Sequence, residues 1–355
     1  MLDDLYYDSI DLLRELIATP SVSRDETRAA DIVENFARRN MPGEVIRHHN
    51  NIIVTAPGFD AGRPTLLLNS HIDTVKPVTG WTLDPFTPLE EDGKLYGLGS
   101  NDAGGPLVSL IAAYRFLTAY PQSYNLIFVA SAEEEVSGKN GMESVVPMLP
   151  EITVALVGEP TEMQPAVAEK GLMVLDCEVR GVSGHAARNE GVNAILKAIP
   201  AITALSTLTF PEVSAMLGPV KISVTQINAG TQHNVVPDLC KFVVDVRTTD
   251  AYDNLTTLAM IRQAVGPQVE VTPRSTRLNP SKVELSNPIV QRLTLHGRTP
   301  FGSPTLSDQA LMPWPSLKLG PGSSSRSHTA NEFIRHDEIR EAIELYTRVL
   351  HKLSL

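Results

Sequence analysis

The stretch Pro64-Thr65-Leu66-Leu67-Leu68-Asn69-Ser70-His71-Ile72-Asp73 joins an unbroken apolar run to a histidine and an aspartate. A short run that is apolar at every position is the pattern of a strand buried on both faces, as in a largely parallel sheet. Similar runs occur at 51–56, 125–130 and 153–157, and a helical stretch over 106–117 follows the Leu66–Leu68 run. Upstream, Leu5, Leu12, Leu13, Leu16 and Ile17 fall near helical spacing and predict a helix over about residues 5–18, which Thr19-Pro20 ends. Ser23 and Glu26 have the spacing of a capping box and predict a second helix with Ala29, Ile32, Val33 and Phe36 inward. Strands alternating with helices give an α/β fold, a mostly parallel mixed sheet flanked by helices.

The texture changes after Glu169. Residues 171–179, 219–227 and 239–246 are β-rich, separated by helical stretches at 192–205 and 253–265. This predicts an α+β domain, 170–279, inserted into a discontinuous one, 1–169 and 280–355, whose final helix lies near 337–353. A length of 355 residues suits two domains of about 150 each. With 42% apolar and 20% charged residues, the chain is neither disordered nor a disulfide-stapled miniprotein. Its net charge of −11 disfavours a phosphate backbone as partner, so no nucleic acid is expected. That charge reflects either plain solubility or carboxylates gathered around a cation. No run approaches ~18 apolar residues, and three early aspartates stand where a signal peptide needs basic residues; no membrane span and a cytoplasmic location are expected. Cys177 and Cys240 read as buried thiols, with a single bridge as the alternative.

In open α/β sheets, ligands bind beyond the carboxyl ends of the strands. The first polar residues there are His71 and Asp73, the run Glu133-Glu134-Glu135, and Glu159; Asp102 stands just before the 106–117 helix. Singly, each has an ordinary reading: a surface hydrogen bond, or a solvated helix start. Gly97-Leu98-Gly99 hints at a nucleotide loop, but Asp102 occupies the third glycine's place and would repel a pyrophosphate. Together, these carboxylates would repel one another without a cation. Histidine with carboxylates suits zinc and similar divalent metals, and a metal pair about 3.5–4 Å apart generates hydroxide near neutral pH. A glutamate beside a ligating glutamate could then act as general base.

The motifs His71-x-Asp73, Gly97-x-Gly99-x-x-Asp102, Glu134-Glu135, Gly158-Glu159-Pro160-Thr161 and His328-Thr329-Ala330-Asn331-Glu332 occur in this order. They resemble the motif set of the co-catalytic zinc hydrolase family of acetylornithine deacetylase, succinyl-diaminopimelate desuccinylase, aminoacylase and carboxypeptidase G. The resemblance covers essentially the whole chain. It implies two divalent ions, zinc foremost and cobalt as an in vitro substitute. One would be held by His71, Asp102 and Glu159, the other by Asp102, Glu135 and His328, with Asp102 bridging. Asp73 would orient His71, and Glu134 would be the general base. The triple glutamate leaves Glu133 and Glu134 as the alternative base–ligand pair. A cis peptide at Asp102–Ala103 is also implied. Many members carry a lysine two residues after the bridging aspartate, where this chain has Gly104.

The inserted domain resembles the family's dimerisation lid, which implies a homodimer. His185, in Ser183-Gly184-His185-Ala186, would reach the partner's site and hold the carbonyl oxygen as charge develops; its alternative is to cap a local turn. Asn234 and Arg247 match positions lining the substrate cavity. Arg247 offers a fork for a substrate carboxylate, or an ion pair with Asp245 or Asp250. Arg326 is a second carboxylate-binding candidate, or a solvated side chain. The implied reaction removes a short acyl group, acetyl or succinyl, from a small-molecule N-acyl amino acid. N-acyl-L-ornithine in arginine biosynthesis comes first, because the tail from Ser307-Asp308 through Gly320-Pro321-Gly322 to Arg326-Ser327-His328 looks like such a deacylase. The alternatives are succinyl-diaminopimelate desuccinylase, a dipeptidase or aminopeptidase, and a catalytically silent binding protein, which would be expected to have lost ligands.

Overall fold

Leu66, Leu67 and Leu68 lie in the strand Thr65–His71, all of whose residues are buried. Asn125–Ser131 and Val154–Val157 flank it in parallel, and Ser316–Lys318 runs parallel to Val154–Val157. Asn51–Thr55 adds antiparallel to Asn125–Ser131, and Glu44–His48 follows as a hairpin partner. The computed structural model describes residues 1–188 and 190–355. It divides into two units: Met1–Val167 with Lys282–Phe301 and Ser307–Leu355, and Ala168–Ser281 with Gly302–Leu306.

In the first unit both sheet faces are covered, which is why the central strands carry no polar alternation. Leu67, Ile127, Val129 and Ala155 pack with Met142, Val145 and Met312 on one face. The helix Gly105–Thr118 contacts the Thr65–His71 and Asn125–Ser131 strands, and is itself contacted by helices Leu2–Ile17 and His336–Leu350. Sandwiched in this way it is apolar all round, with eleven buried residues of its fourteen. One local expectation is corrected. The second helix, Thr27–Asn40, starts after Glu26 and no side chain caps it. Ser23 does not cap that helix; its hydroxyl donates to Asp73 Oδ2 at 2.7 Å, because a buried carboxylate is the stronger acceptor.

The second unit is a four-stranded antiparallel sheet ordered Lys221–Ala229, Leu239–Thr248, Gly171–Arg180, Val269–Pro273. Burial alternates strictly along Gly171–Val179, so one face carries the core. Helices Ala194–Thr207 and Asn254–Val265 cover it through Ala198, Ala201, Leu258 and Ile261. Cys177 and Cys240 are free and buried there. Among the described residues no helix is long and apolar enough to cross a membrane.

Candidate metal centre

The four parallel strands of the first unit end on one edge, and the polar residues that follow them meet there. His71 is the last residue of its strand and 2% exposed. Its Nδ1 lies 2.9 Å from the main-chain oxygen of Asp73. A carbonyl only accepts, so Nδ1 carries a proton, and Nε2 is the ring nitrogen that faces the cluster and would bind a metal. Nε2 lies 3.2 Å from Asp102 Oδ1 and 3.8 Å from Glu159 Oε1. Opposite, His328 Nε2 lies 3.0 Å from Glu135 Oε2 and 3.6 Å from Asp102 Oδ2. The two oxygens of Asp102 thus face the two histidines. Ligand atoms of His71, Glu134 and Glu159, and likewise of His71, Asp102 and Glu135, lie within 4.8 Å of one another.

Several devices hold this arrangement. The Asp73 carboxylate accepts from the Glu134 and Glu135 amides at 3.0 and 3.2 Å, so it fixes the turn after Ser131 as much as the imidazole. Glu133 (φ 54°) turns away and accepts from Asn140 Nδ2 at 2.9 Å, while Glu134 and Glu135 face the cluster. Asp102 follows Gly99, whose φ of +76° places the chain in the left-handed region and whose Cβ, if present, would lie 2.6 Å from Thr74 Cγ2. The Asp102–Ala103 peptide is cis. A Cβ at Gly104 would lie 2.5 Å from both Gly99 O and Leu13 Cδ1, which leaves no room for a side chain there.

The electrostatics call for a cation. Burial pushes Glu134 well up, reinforced by the charges of Glu159, Asp308 and Glu135 against the pull of His71. Burial likewise carries Glu159 up to about 8, with His71 opposing and Asp102 adding. His328 rises to about 9 through its hydrogen bond to Glu135. Carboxylates so placed cannot all ionise unless positive charge joins them, and a His/carboxylate donor set is what a divalent metal pair takes. The residues present therefore fit such a pair.

The other sequence-predicted residues fall elsewhere. In the second unit, His185 pairs with Val235 in a two-stranded ladder, and the Ala186 amide donates to Asn234 O, so His185 and Asn234 are neighbours. His185 Nδ1 accepts from the Ala187 amide at 3.2 Å. Arg247 forms the ion pair with Asp245, Nε to Oδ1 at 2.9 Å and Nη2 to Oδ2 at 3.2 Å. Arg326, in the first unit, is bonded through both terminal nitrogens to Glu338 and through Nη1 to Phe333 O. Its fork is already filled by a carboxylate of the chain, and its side chain is 17% exposed rather than solvated. Three residues that the sequence did not assign to the site also belong to its support. Ser23 holds Asp73, Glu332 accepts from the Asn101 and Asp102 amides, and Asp308 accepts from Ser131 Oγ at 2.5 Å.

The Peptidase family M20/M25/M40 profile matches residues 67–352, a span containing every residue of this cluster. The chain belongs to the M20 family. Acetylornithine deacetylases of Proteus mirabilis and Salmonella heidelberg are each 30% identical to it, over 98% and 96% of the chain and 97% of each relative. Aminopeptidase PepT of Bacillus cereus shares the M20 fold with a TM-score of 0.78 at 20% identity, covering 97% of this chain and 98% of that one. The YXEP protein of Bacillus subtilis, described as a dinuclear metal binding peptidase, matches with a TM-score of 0.74 at 16% identity over 99% of both chains. The chain is thus a metal-dependent hydrolase of the M20 family, and its cluster holds donors enough for a dinuclear centre.

Proposed function

We propose that this hydrolase removes a short acyl group from the α-nitrogen of an amino acid, with N-acetyl-L-ornithine, an arginine precursor, as first substrate. The observation that carries the reading is a complete cluster, with Glu134 beside Glu135, in a chain 30% identical to acetylornithine deacetylases over nearly its full length. The His/carboxylate donors favour zinc. His71, Asp102 and Glu159 would hold one ion, and Asp102, Glu135 and His328 the other. When bound, such ions polarise a carbonyl and lower the pKa of water.

The remaining steps belong to side chains. Glu134 takes the proton of the attacking water and returns it to the leaving amine, the task of a general base placed beside a ligating carboxylate. Asp73 keeps Nε2 of His71 free to bind and the Glu134 turn in place. Its Ser23 contact keeps that carboxylate oriented.

The active unit is a dimer in which His185 of the partner subunit stabilises the developing oxyanion. Two features of the second unit support an interface between copies. Among the described residues Lys221–Ala229 is an edge strand, unpaired on one side, with Ile227 53% exposed. The helix Ala194–Thr207 leaves Leu196 64% and Ile199 50% exposed.

The test is turnover of acetyl- and succinyl-ornithine, -citrulline, -lysine and -diaminopimelate, with dipeptides alongside, in the presence of zinc or cobalt. Acetylornithine should be cleaved fastest. Glu134→Ala should keep its metal content and lose about 10²–10⁴-fold in kcat. Preferential dipeptide cleavage, or an active Glu134→Ala protein, would overturn the assignment.

A further inference from the structure

His328 and Glu332 belong to one turn, with positive φ at His328 and Asn331 (58° and 56°). Each reaches a different part of the centre. His328 faces Glu135, whereas Glu332, 2% exposed, lies beneath Asp102. Glu332 Oε1 accepts from the Asn101 amide at 2.8 Å and from the Asp102 amide at 2.9 Å. Neither Asp102 nor Ala103 has helical backbone angles, so the adjoining helix does not set this segment's course. Further bonds reinforce the clamp. The Gly97 amide donates to Glu332 O at 3.0 Å, and Asn101 exchanges bonds with the main chain of Ser323 at 3.1 Å each way.

We propose that Glu332 is a positioning residue that sets the Asp102 carboxylate for both metal ions at once. The inference rests on the two-metal reading above. Two successive amides bound to one oxygen fix the main chain where the Asp102 side chain departs. Oδ1 of that side chain faces His71 and Oδ2 faces His328. A shift of the Asp102 main chain therefore disturbs both halves of the centre, whereas loss of His328 disturbs one. Asn331 ties the same turn to the segment after Gly80, accepting from the Thr82 and Leu83 amides at 3.0 and 3.2 Å. One short turn thereby couples a ligand, the shared aspartate and a neighbouring loop.

The test is titration of the metal-free full chain with zinc and with cobalt(II), against a competing chelator, in wild type, His328→Ala, Glu332→Ala, Glu332→Asp and Glu332→Gln. Melting of each metal-free protein is measured alongside, and cobalt absorption reports ligand geometry. Wild type should bind two ions, and His328→Ala should weaken one. Glu332→Ala should weaken both by about 10–100-fold, the range seen when outer-shell partners of metal ligands are lost. Glu332→Gln keeps an acceptor oxygen and should return both affinities to within a few-fold of wild type. Glu332→Asp draws the oxygen back by one methylene and should weaken both ions, which decides the matter if the alanine variant does not fold. Wild type binding fewer than two ions would end the two-metal reading itself. Wild type binding two while folded Glu332→Ala or Glu332→Asp binds both as tightly, or loses only one, would overturn the role of Glu332.

Discussion

Glu26 is a carboxyl with nowhere to put its charge. It is 1% exposed, and no side chain among the described residues hydrogen-bonds to either of its oxygens. Burial carries it from 4.5 to about 7 against the pull of main-chain amides at Glu26 and Arg24, and the negative charges of Asp73 and Glu133 add to the rise. The folded protein therefore holds a proton there that the unfolded chain releases near pH 4.5. Between those values the native state binds more protons, so stability is full at low pH and is lost as pH rises through about 7. The cost above that pH is on the order of 3 kcal/mol. Glu26→Gln should match wild type at pH 5 and exceed it at pH 8, read from urea midpoints. Midpoints that run parallel across the range would show that Glu26 is not protonated in the folded state.

At the scale of elements, the segment between the hairpin strand Lys94–Tyr96 and the helix Gly105–Thr118 holds positive-φ Gly97 and Gly99 and the cis Asp102–Ala103 peptide. Gly99→Ala would force a side chain into the left-handed region and against Thr74, the residue after Asp73. A loss of about 1–3 kcal/mol in stability is expected, together with weaker metal binding, because the strain falls three residues before Asp102. Unchanged unfolding and metal titration would show that the backbone there adapts. This segment also marks the boundary of what the sequence discloses. His71, Glu134, Glu135 and Glu159 are legible because a polar residue after an apolar run is a local pattern, and strand ends gather in space whatever the loops do. Asp102 follows no such run and is marked only by its place ahead of a helix, and His328 is reached by resemblance alone. The Ser23–Asp73 and Glu332–Asp102 bonds span 50 and 230 residues, and no local pattern announces a partner so distant. Arg326 shows the same limit: its carboxylate comes from Glu338, twelve residues on and across a strand. The Arg247–Asp245 pair, two residues apart on one strand face, was readable as one of two options.

At the scale of the molecule, the second unit has its own core, centred on Leu175, Phe242, Val244 and Ile261. The exposed Leu196, Ile199 and Ile227 are not part of that core. Leu196→Asp with Ile199→Asp should therefore leave folding intact and convert a dimer to monomers in sedimentation velocity. Wild type sedimenting as a monomer at micromolar concentration would remove the basis for His185 acting across subunits. The two units also differ in how continuous their chains are. All but five residues of the second lie in one stretch, Ala168–Ser281, whereas the first is completed by Lys282–Phe301 and Ser307–Leu355.

That interruption has a consequence during synthesis. When Val157 leaves the ribosome, its strand has a neighbour on one side only, because Ser316–Lys318 has not yet been made. His328 and the clamp on Asp102 arrive later still. The inserted unit can mature while the first half of the sheet waits with an open edge. At translation speeds of about 5–20 residues per second, the interval from Val157 to Glu332 lasts roughly 10–35 seconds. Throughout it the nascent chain displays an incomplete set of donors, and the finished centre can form only once nearly the whole chain has been made.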